Sequence, residues 1–364
     1  QPHLAARIEK NTLREFPDGI PSYGADALRF TCCALASTGR DVRFDFKQIE
    51  GYRNFCNKLW NASRFVMMNC EAADLSQIGT PSIVDRWILS RTRSMLEDSE
   101  RAIETYRFDL YANHIYEFTW GEYCDWYLEL TKPLLWDDDA DPAMAAGTRR
   151  TLLMVLEILL RAAHPIIPFI TDKIWRDVAP LNSLTGSTIM TQPFPLAHEI
   201  AADKEADDAI EWLKGVIVGV RNIRGEAGIK PKQTIDLLLQ GGGERDRALA
   251  ATTDQLLKRL AKVENIRWLH AEEVAPVNAL ALVGDLKVMV PLAGLIDLDA
   301  EKARLQKEID RRQAEVSRVT GKLGNAKFVA NAPPEVVASE REKAQAAQDA
   351  LRALHTQLLS LNNL

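Results

Sequence analysis

The chain has 364 residues with 45 Lys and Arg against 51 Asp and Glu, a formal net charge of −6. That length supports two or three domains, each with its own core. No apolar run approaches the roughly 18 residues of a membrane span, no signal-peptide pattern opens the chain, and an acidic total excludes indiscriminate nucleic-acid binding through a globally basic surface.

The distribution of charge is more informative than its sum. Residues 71–210 hold 12 Lys and Arg against 24 Asp and Glu, whereas residues 1–70 hold 10 against 7, 211–295 hold 12 against 10, and 296–364 hold 11 against 10. Contacts to a polyanion are therefore expected from the first segment and the last two, with 71–210 supplying mainly scaffold.

The chain opens on QPHLAARIEK without an initiator Met, which suggests a fragment or a processed chain. In PDGIPSYGADALRF, prolines and glycines mark a loop entering a short helix at 26–35. From 48 to 176 the periodicity is overwhelmingly helical.

The first helix contains GYRNFCNKLWNASRFVMMN, residues 51–69. Asparagine costs a helix interior roughly 0.6 kcal/mol relative to Ala, so Asn54, Asn57 and Asn61 need a reason. At 100° steps, Tyr52, Phe55, Cys56, Leu59, Trp60, Ala62, Val66 and Met67 form a continuous apolar arc, read as the buried face. The opposite arc carries Arg53, Asn54, Asn57, Lys58, Asn61 and Arg64. It is either an ordinary solvated surface or one that hydrogen-bonds nucleotides, since an amide offers donor and acceptor to a base edge while Arg and Lys take phosphate.

Further helices are expected at 82–106, 110–131 and 143–163, and a last one after the break at Pro165 and Pro168. Residues 181–204 read as an irregular linker. A helix at 205–226 places Ile210, Leu213, Ile217, Val220 and Ile223 on one stripe. The strand-like runs QTIDLLLQ, NIRWLH, NALALV and LKVMVPL and a helix at 245–262 complete a small α/β domain. Arg221, Arg224, Lys230 and Lys232 form a second basic cluster, open between RNA contact and interdomain ion pairs.

The last segment has heptads. Lys302, Ile309, Val316 and Leu323 fall at a, and Leu298, Leu305, Arg312 and Val319 at d. After GNAKFVANAPPE, a second run places Val337, Ala344, Leu351 and Leu358 at a. An antiparallel coiled-coil hairpin is expected, with Arg304, Arg311 and Arg318 at c as a solvated or phosphate-tracking stripe.

No catalytic constellation emerges. His164 reads as a core histidine, TGKLG lacks the remaining residues of a phosphate loop, and the aspartates at 137–141 lack the glycine and Glu of a calcium loop. The cysteines, without C-x-x-C spacing, read as reduced thiols; a thiol enzyme using Cys32 or Cys33 is the least favoured alternative.

The blocks YGADALRF, GRDVRFD, GYRNFCNKLWNASRF, DRWIL, YEFTWGEYCDWYLELTKP, HPIIPFITDKIW and VRNIRGEAGIKP, in this order, resemble the C-terminal portion of the bacterial valine-tRNA ligases, class I aminoacyl-tRNA synthetases. The shorter blocks are shared with the isoleucine and leucine enzymes. The resemblance implies a mainly α chain, with a connector at 1–45, an anticodon-binding helical bundle at 46–180, a linker at 181–204, a small α/β domain at 205–295 and a coiled-coil tRNA-binding arm at 296–364. It implies tRNA(Val) as partner, together with the catalytic and editing domains of the same parent chain, and a cytoplasmic monomer away from membranes. ATP with Mg belongs to the parent, whose H-I-G-H and K-M-S-K-S signatures are not in this sequence. The portion itself is expected to need no cofactor or metal and to be inactive alone. Arg53, Asn54, Asn57, Lys58, Asn61, Arg64, Arg221, Arg224, Arg304, Arg311 and Arg318 are the expected tRNA contacts; Trp120 and Trp126 are assigned to the bundle core rather than to base stacking. The alternative is a helical and coiled-coil protein-interaction module without RNA binding.

Overall fold

The computed structural model describes residues 2–37, 39, 45–71, 73–77, 79–137 and 140–293, and within 306–352 only residues 306–307, 309–314, 316–317, 320–321, 345, 348 and 351–352. Most of GRDVRFD, the loop GNAKFVANAPPE, Arg304 and Arg318 lie outside the described residues. The chain divides into two compact units, Gln1–Glu211 and Trp212–Leu364.

The first unit is helical: α1 (Ala5–Glu15), α2 (Ala25–Leu35), α3 (Phe46–Cys70), α4 (Ile83–Glu104), α5 (Phe108–Glu117), α6 (Leu128–Trp136), α7 (Pro142–Ala163) and α8 (Pro168–Val178). Two elements depart from the sequence reading. α1 was not anticipated; it buries none of its residues, so no core face marked it. The helix expected at 110–131 is α5 and α6 joined by a π-helical segment, Phe118–Tyr127, and it continues through Pro133 to Trp136. A π turn inserts residues without breaking the helix, which a fixed 3.6-residue period does not register.

Local chemistry sets the helix starts. Asp45 caps α3 by accepting from Lys47 N, and Ser82 and Asp85 form a reciprocal capping box at α4. Asp85 is fully buried and also accepts from Thr148 Oγ1 of α7 at 2.7 Å and from Tyr127 Oη of the π segment at 2.7 Å. One carboxylate thus ties three elements together. Burial raises its pKa, and the hydrogen bonds from Tyr127, Ser82 and Thr148 offset this only in part. Gly147 of α7 has a steric role, because a Cβ there would collide with the Thr80 carbonyl. Trp87, Trp175, Tyr123, Tyr127, Phe30 and Phe55 are the largest fully buried side chains.

Residues 181–204 are irregular, as expected, but they are packed rather than loose. Ile189, Ala197 and Ile200 are buried. The segment is pinned where Thr188 Oγ1 and Ile189 N donate to Asp172 and where Arg93 donates to the Ile200 carbonyl.

α9 (Lys204–Glu226) spans the division between the units. In the second unit its residues Leu213, Ile217, Val220 and Ile223 are buried as the stripe predicts. β1 (Ile235–Gly241), α10 (Glu244–Ala261), β2 (Val263–Trp268), β3 (Asn278–Val283) and β4 (Leu286–Pro291) follow. The sheet order is β2-β1-β4-β3. β1 and β2, linked through α10, are parallel, and β4 pairs antiparallel with both β1 and β3. Gly219 admits the sheet closely, since a Cβ there would lie 3.0 Å from Ala281 Cβ.

Beyond residue 305 every described residue is helical. Ile309 and Val316, two of the expected a positions, are buried, while Arg311 at c is exposed. Among the described residues no helix is long and apolar enough to cross a membrane.

Candidate nucleic-acid interface

α3 presents the two faces its periodicity requires. Phe55, Leu59, Ala62 and Val66 are buried, and Arg53, Asn54, Asn57, Asn61 and Arg64 are exposed on the opposite side. Trp60 corrects the sequence reading: it is 36% exposed. It lies about 100° around the helix from the centre of the buried arc, and Ser63, closer to that centre, is buried in its place, donating to the Trp60 carbonyl at 2.7 Å.

Lys58 sits at the other margin and is half-buried. Its ammonium forms an ion pair with Asp125 and lies 3.9 Å from the centroid of the Trp120 ring. It is committed to protein partners, unlike its neighbours. Trp120 and Trp126 are likewise half-buried rather than core. Beneath α3 the aromatic rings run continuously: Phe30 stacks on Tyr52 at 4.5 Å, Phe55 on Tyr116 at 5.2 Å, and Tyr116 on Trp120 at 5.8 Å. This stack holds α3 against α2, α5 and the π segment.

The sequence leaves open whether the asparagines touch a ligand or brace the bundle. Asn54, Asn57 and Asn61 make no side-chain hydrogen bond to another described residue, and Arg53 and Arg64 make no ion pair with one. The bracing amide is Asn69, one turn past the expected set. Its Nδ2 donates to the Phe65 carbonyl at 2.7 Å, its Oδ1 accepts from Trp136 Nε1 at 2.9 Å, and its carbonyl accepts from Arg149 Nε at 3.1 Å. Phe65 packs on Trp136 with centroids 5.9 Å apart. Helical phase already sets Asn69 apart, beside Ala62 at the margin of the buried arc and about 60–120° from the other three, and the continuation of α6 to Trp136 gives it a partner.

The second basic cluster divides. Arg221, Lys230 and Lys232 are exposed. Arg224 is only 9% exposed, and its guanidinium donates to the carbonyls of Gln233 at 2.8 Å, Lys262 at 2.9 Å, Ala261 at 3.0 Å and Lys230 at 3.4 Å. It joins the C-terminal ends of α9 and α10 to the segment entering β1, and burial lowers its pKa. The expectation of Arg224 as an RNA contact is therefore corrected: its donors point inward.

The remaining chemistry is structural. Burial pushes the Cys33 thiol up to about 11 and those of Cys56, Cys70 and Cys124 up to about 12. The Cys33 thiol donates to the Phe108 carbonyl, which does not suit a nucleophile at neutral pH. His164 pairs through Nδ1 with Thr171 Oγ1 at 2.8 Å, and burial lowers its pKa. Among the described residues no group of three His, Cys, Asp or Glu side chains is placed to hold a metal ion.

Two family models match the sequence. Residues 85–239 match an anticodon-binding domain of tRNA ligase, and residues 297–362 match a valyl tRNA synthetase tRNA binding arm. The first match begins in α4 and ends in β1, so α3 precedes it.

Proposed function

This chain belongs to the class I aminoacyl-tRNA synthetases as the tRNA-binding portion of a valyl-tRNA synthetase, and we propose that the outer face of α3 receives the anticodon arm of tRNA(Val). The observation that carries this reading is the row of exposed Arg53, Asn54, Asn57, Asn61 and Arg64, whose polar groups have no side-chain partner among the described residues. The amides hydrogen-bond the edges of unstacked loop bases, and the two guanidinium groups take phosphates. The arm reaches the outer corner of the tRNA elbow, with exposed Arg311 on its phosphate-facing stripe.

The parent is a ligase that uses ATP and Mg. In our reading its catalytic domain, joined through residues 1–45, attaches valine to tRNA(Val), its editing domain removes mischarged product, and this chain contributes grip. Binding energy gathered far from the reacting atoms orients the acceptor end. The protein-interaction alternative is not favoured, because both matched models describe tRNA binding.

The test is equilibrium binding of tRNA(Val) and an unrelated tRNA across a salt series. Asn61→Ala is expected to reduce the preference for tRNA(Val). Arg64→Gln is expected to weaken both tRNAs and to flatten the slope of log K against log[salt] by about 0.7 to 1. Equal affinity for the two tRNAs, unchanged by either substitution, would sink the assignment.

A further inference from the structure

We propose that a cavity of about 460 Å³ in the first unit binds a small zwitterion with an apolar body, the chemistry of a free apolar amino acid. It is framed by α7, by the loop after α3 that carries Leu75 and Gln77, and by two stretches of the irregular segment, 181–184 and 195–200. Small-molecule sites run from about 300 to 1,000 Å³ and are mostly apolar, with a few convergent polar groups. This cavity meets both conditions.

Its walls are held apart rather than collapsed. Met154 of α7, Leu184 and Leu196 stay 36%, 38% and 44% exposed around it, although the segment that carries the last two is firmly attached. Asn182 Nδ2 donates to the Leu153 carbonyl at 3.2 Å, Leu184 N to the Ala179 carbonyl at 2.9 Å, and Arg93 to the Ile200 carbonyl at 3.2 Å. Ser183, in the lining, takes a left-handed backbone at φ 57° and ψ 24°, which a residue other than glycine adopts at a cost. A segment free to close on α7 would bury the three apolar side chains and gain by it. The tethers prevent that closure and leave an apolar gap.

Two opposite charges line the same cavity without a protein partner. Arg150 and Glu199 are exposed, and neither forms an ion pair or side-chain hydrogen bond with another described residue. The other charged pair in the lining is already committed. Glu157, 4% exposed, accepts from Arg161 Nε at 2.8 Å and from Trp175 Nε1 at 2.9 Å, and Arg161 donates on to the Pro193 carbonyl at 2.9 Å. A ligand carboxylate therefore meets the guanidinium of Arg150, its ammonium meets the carboxylate of Glu199, and its apolar body covers Met154, Leu184 and Leu196. A ligand with one charge satisfies only one of these groups, and a carboxylate alone is repelled by Glu199. The cavities of about 430 and 370 Å³ lack such a pair: Arg149 in the first donates to the Asn69 carbonyl, and Asp26 in the second is occupied by the amides of Phe169 and Ile170.

The test is saturation-transfer NMR on the full chain with L-leucine, L-phenylalanine and two leucine analogues, isocaproate, which lacks the amine, and isoamylamine, which lacks the carboxylate. Leucine should bind saturably with a dissociation constant on the order of 1 mM, the scale for so few atoms at an open mouth. Each analogue should bind about two- to fivefold more weakly, the worth of an exposed ion pair. Arg150→Gln should weaken leucine and leave isoamylamine unchanged, whereas Glu199→Gln should weaken leucine without weakening isocaproate. Met154→Trp and Leu196→Trp, at partly exposed positions where a larger ring needs no core space, should each block binding with the thermal melt unchanged. Binding that persists in both tryptophan variants would place the ligand elsewhere and overturn the assignment. Isocaproate binding as tightly as leucine would overturn the zwitterion class, and no saturable signal from either amino acid up to about 10 mM would overturn the site itself.

Discussion

Replacing Arg224 by methionine keeps most of the buried aliphatic volume and removes every donor that the guanidinium supplies. Four carbonyls lose a partner, though unequally. The Lys230 carbonyl still accepts from Gln233 N at 3.0 Å and the Lys262 carbonyl from Ile235 N at 3.1 Å, whereas the Gln233 and Ala261 carbonyls take their donors from Arg224 at 2.8 and 3.0 Å. An orphaned buried acceptor costs about 1–3 kcal/mol, and part of this is offset because a guanidinium no longer has to be held out of water. The net loss should be roughly 2–4 kcal/mol. Arg224→Lys should fall between, since one ammonium does not span four carbonyls from two segments. Urea unfolding followed by tryptophan fluorescence measures this, with Trp212 and Trp268 reporting from the second unit. In native buffer, below the transition, tRNA affinity should be close to that of the unmodified chain. Unchanged stability together with a large loss of tRNA affinity would refute the argument and return Arg224 to the RNA-contact set.

Two further outcomes test the scaffold. Lys58→Met should cost about 0.5–1 kcal/mol of stability through the lost Asp125 pair and Trp120 contact, yet lower tRNA affinity less than Arg64→Gln; a larger binding effect than at Arg64 would mean that Lys58 leaves its partners for phosphate. For Asp172, burial tends to raise the carboxyl, but hydrogen bonds from Thr188, Arg176 and Ile189 N outweigh it, so its pKa is lowered. Its folded value thus lies below its unfolded value, and its stabilisation is present above the ordinary aspartate range, about 3.9, and fades as pH falls through the folded value. Thermal melts of the unmodified chain and Asp172→Asn should therefore converge toward acid pH, and a constant gap would contradict the shift.

Much of the architecture was legible because it follows from period alone. The stripe on α9, the opposed faces of α3 and the strands of the small sheet depend on neighbouring residues in sequence, and each appears where the pattern put it. The π segment did not, since a fixed period does not register an inserted turn. At the interface, the sequence identified the exposed row of α3 but ranked Lys58 with Arg64, although only Lys58 has Asp125 and Trp120 beside it.

Sequence by itself determined which residues share a helix face, where acidic residues concentrate and which family the motifs resemble, since these are properties of local order and composition. Tertiary structure alone decided which polar groups are free to meet a ligand. Arg221 and Arg224 stand three residues apart on one helix with equal charge, yet Arg221 is exposed and Arg224 buried. The chain returns past Arg224 at residues 230–233 and 261–262 and surrounds its guanidinium with carbonyls, while among the described residues the amides of Asn54, Asn57 and Asn61 meet no such return. Hydrogen-bond satisfaction depends on segments distant in sequence, so their availability became readable only once the chain was folded.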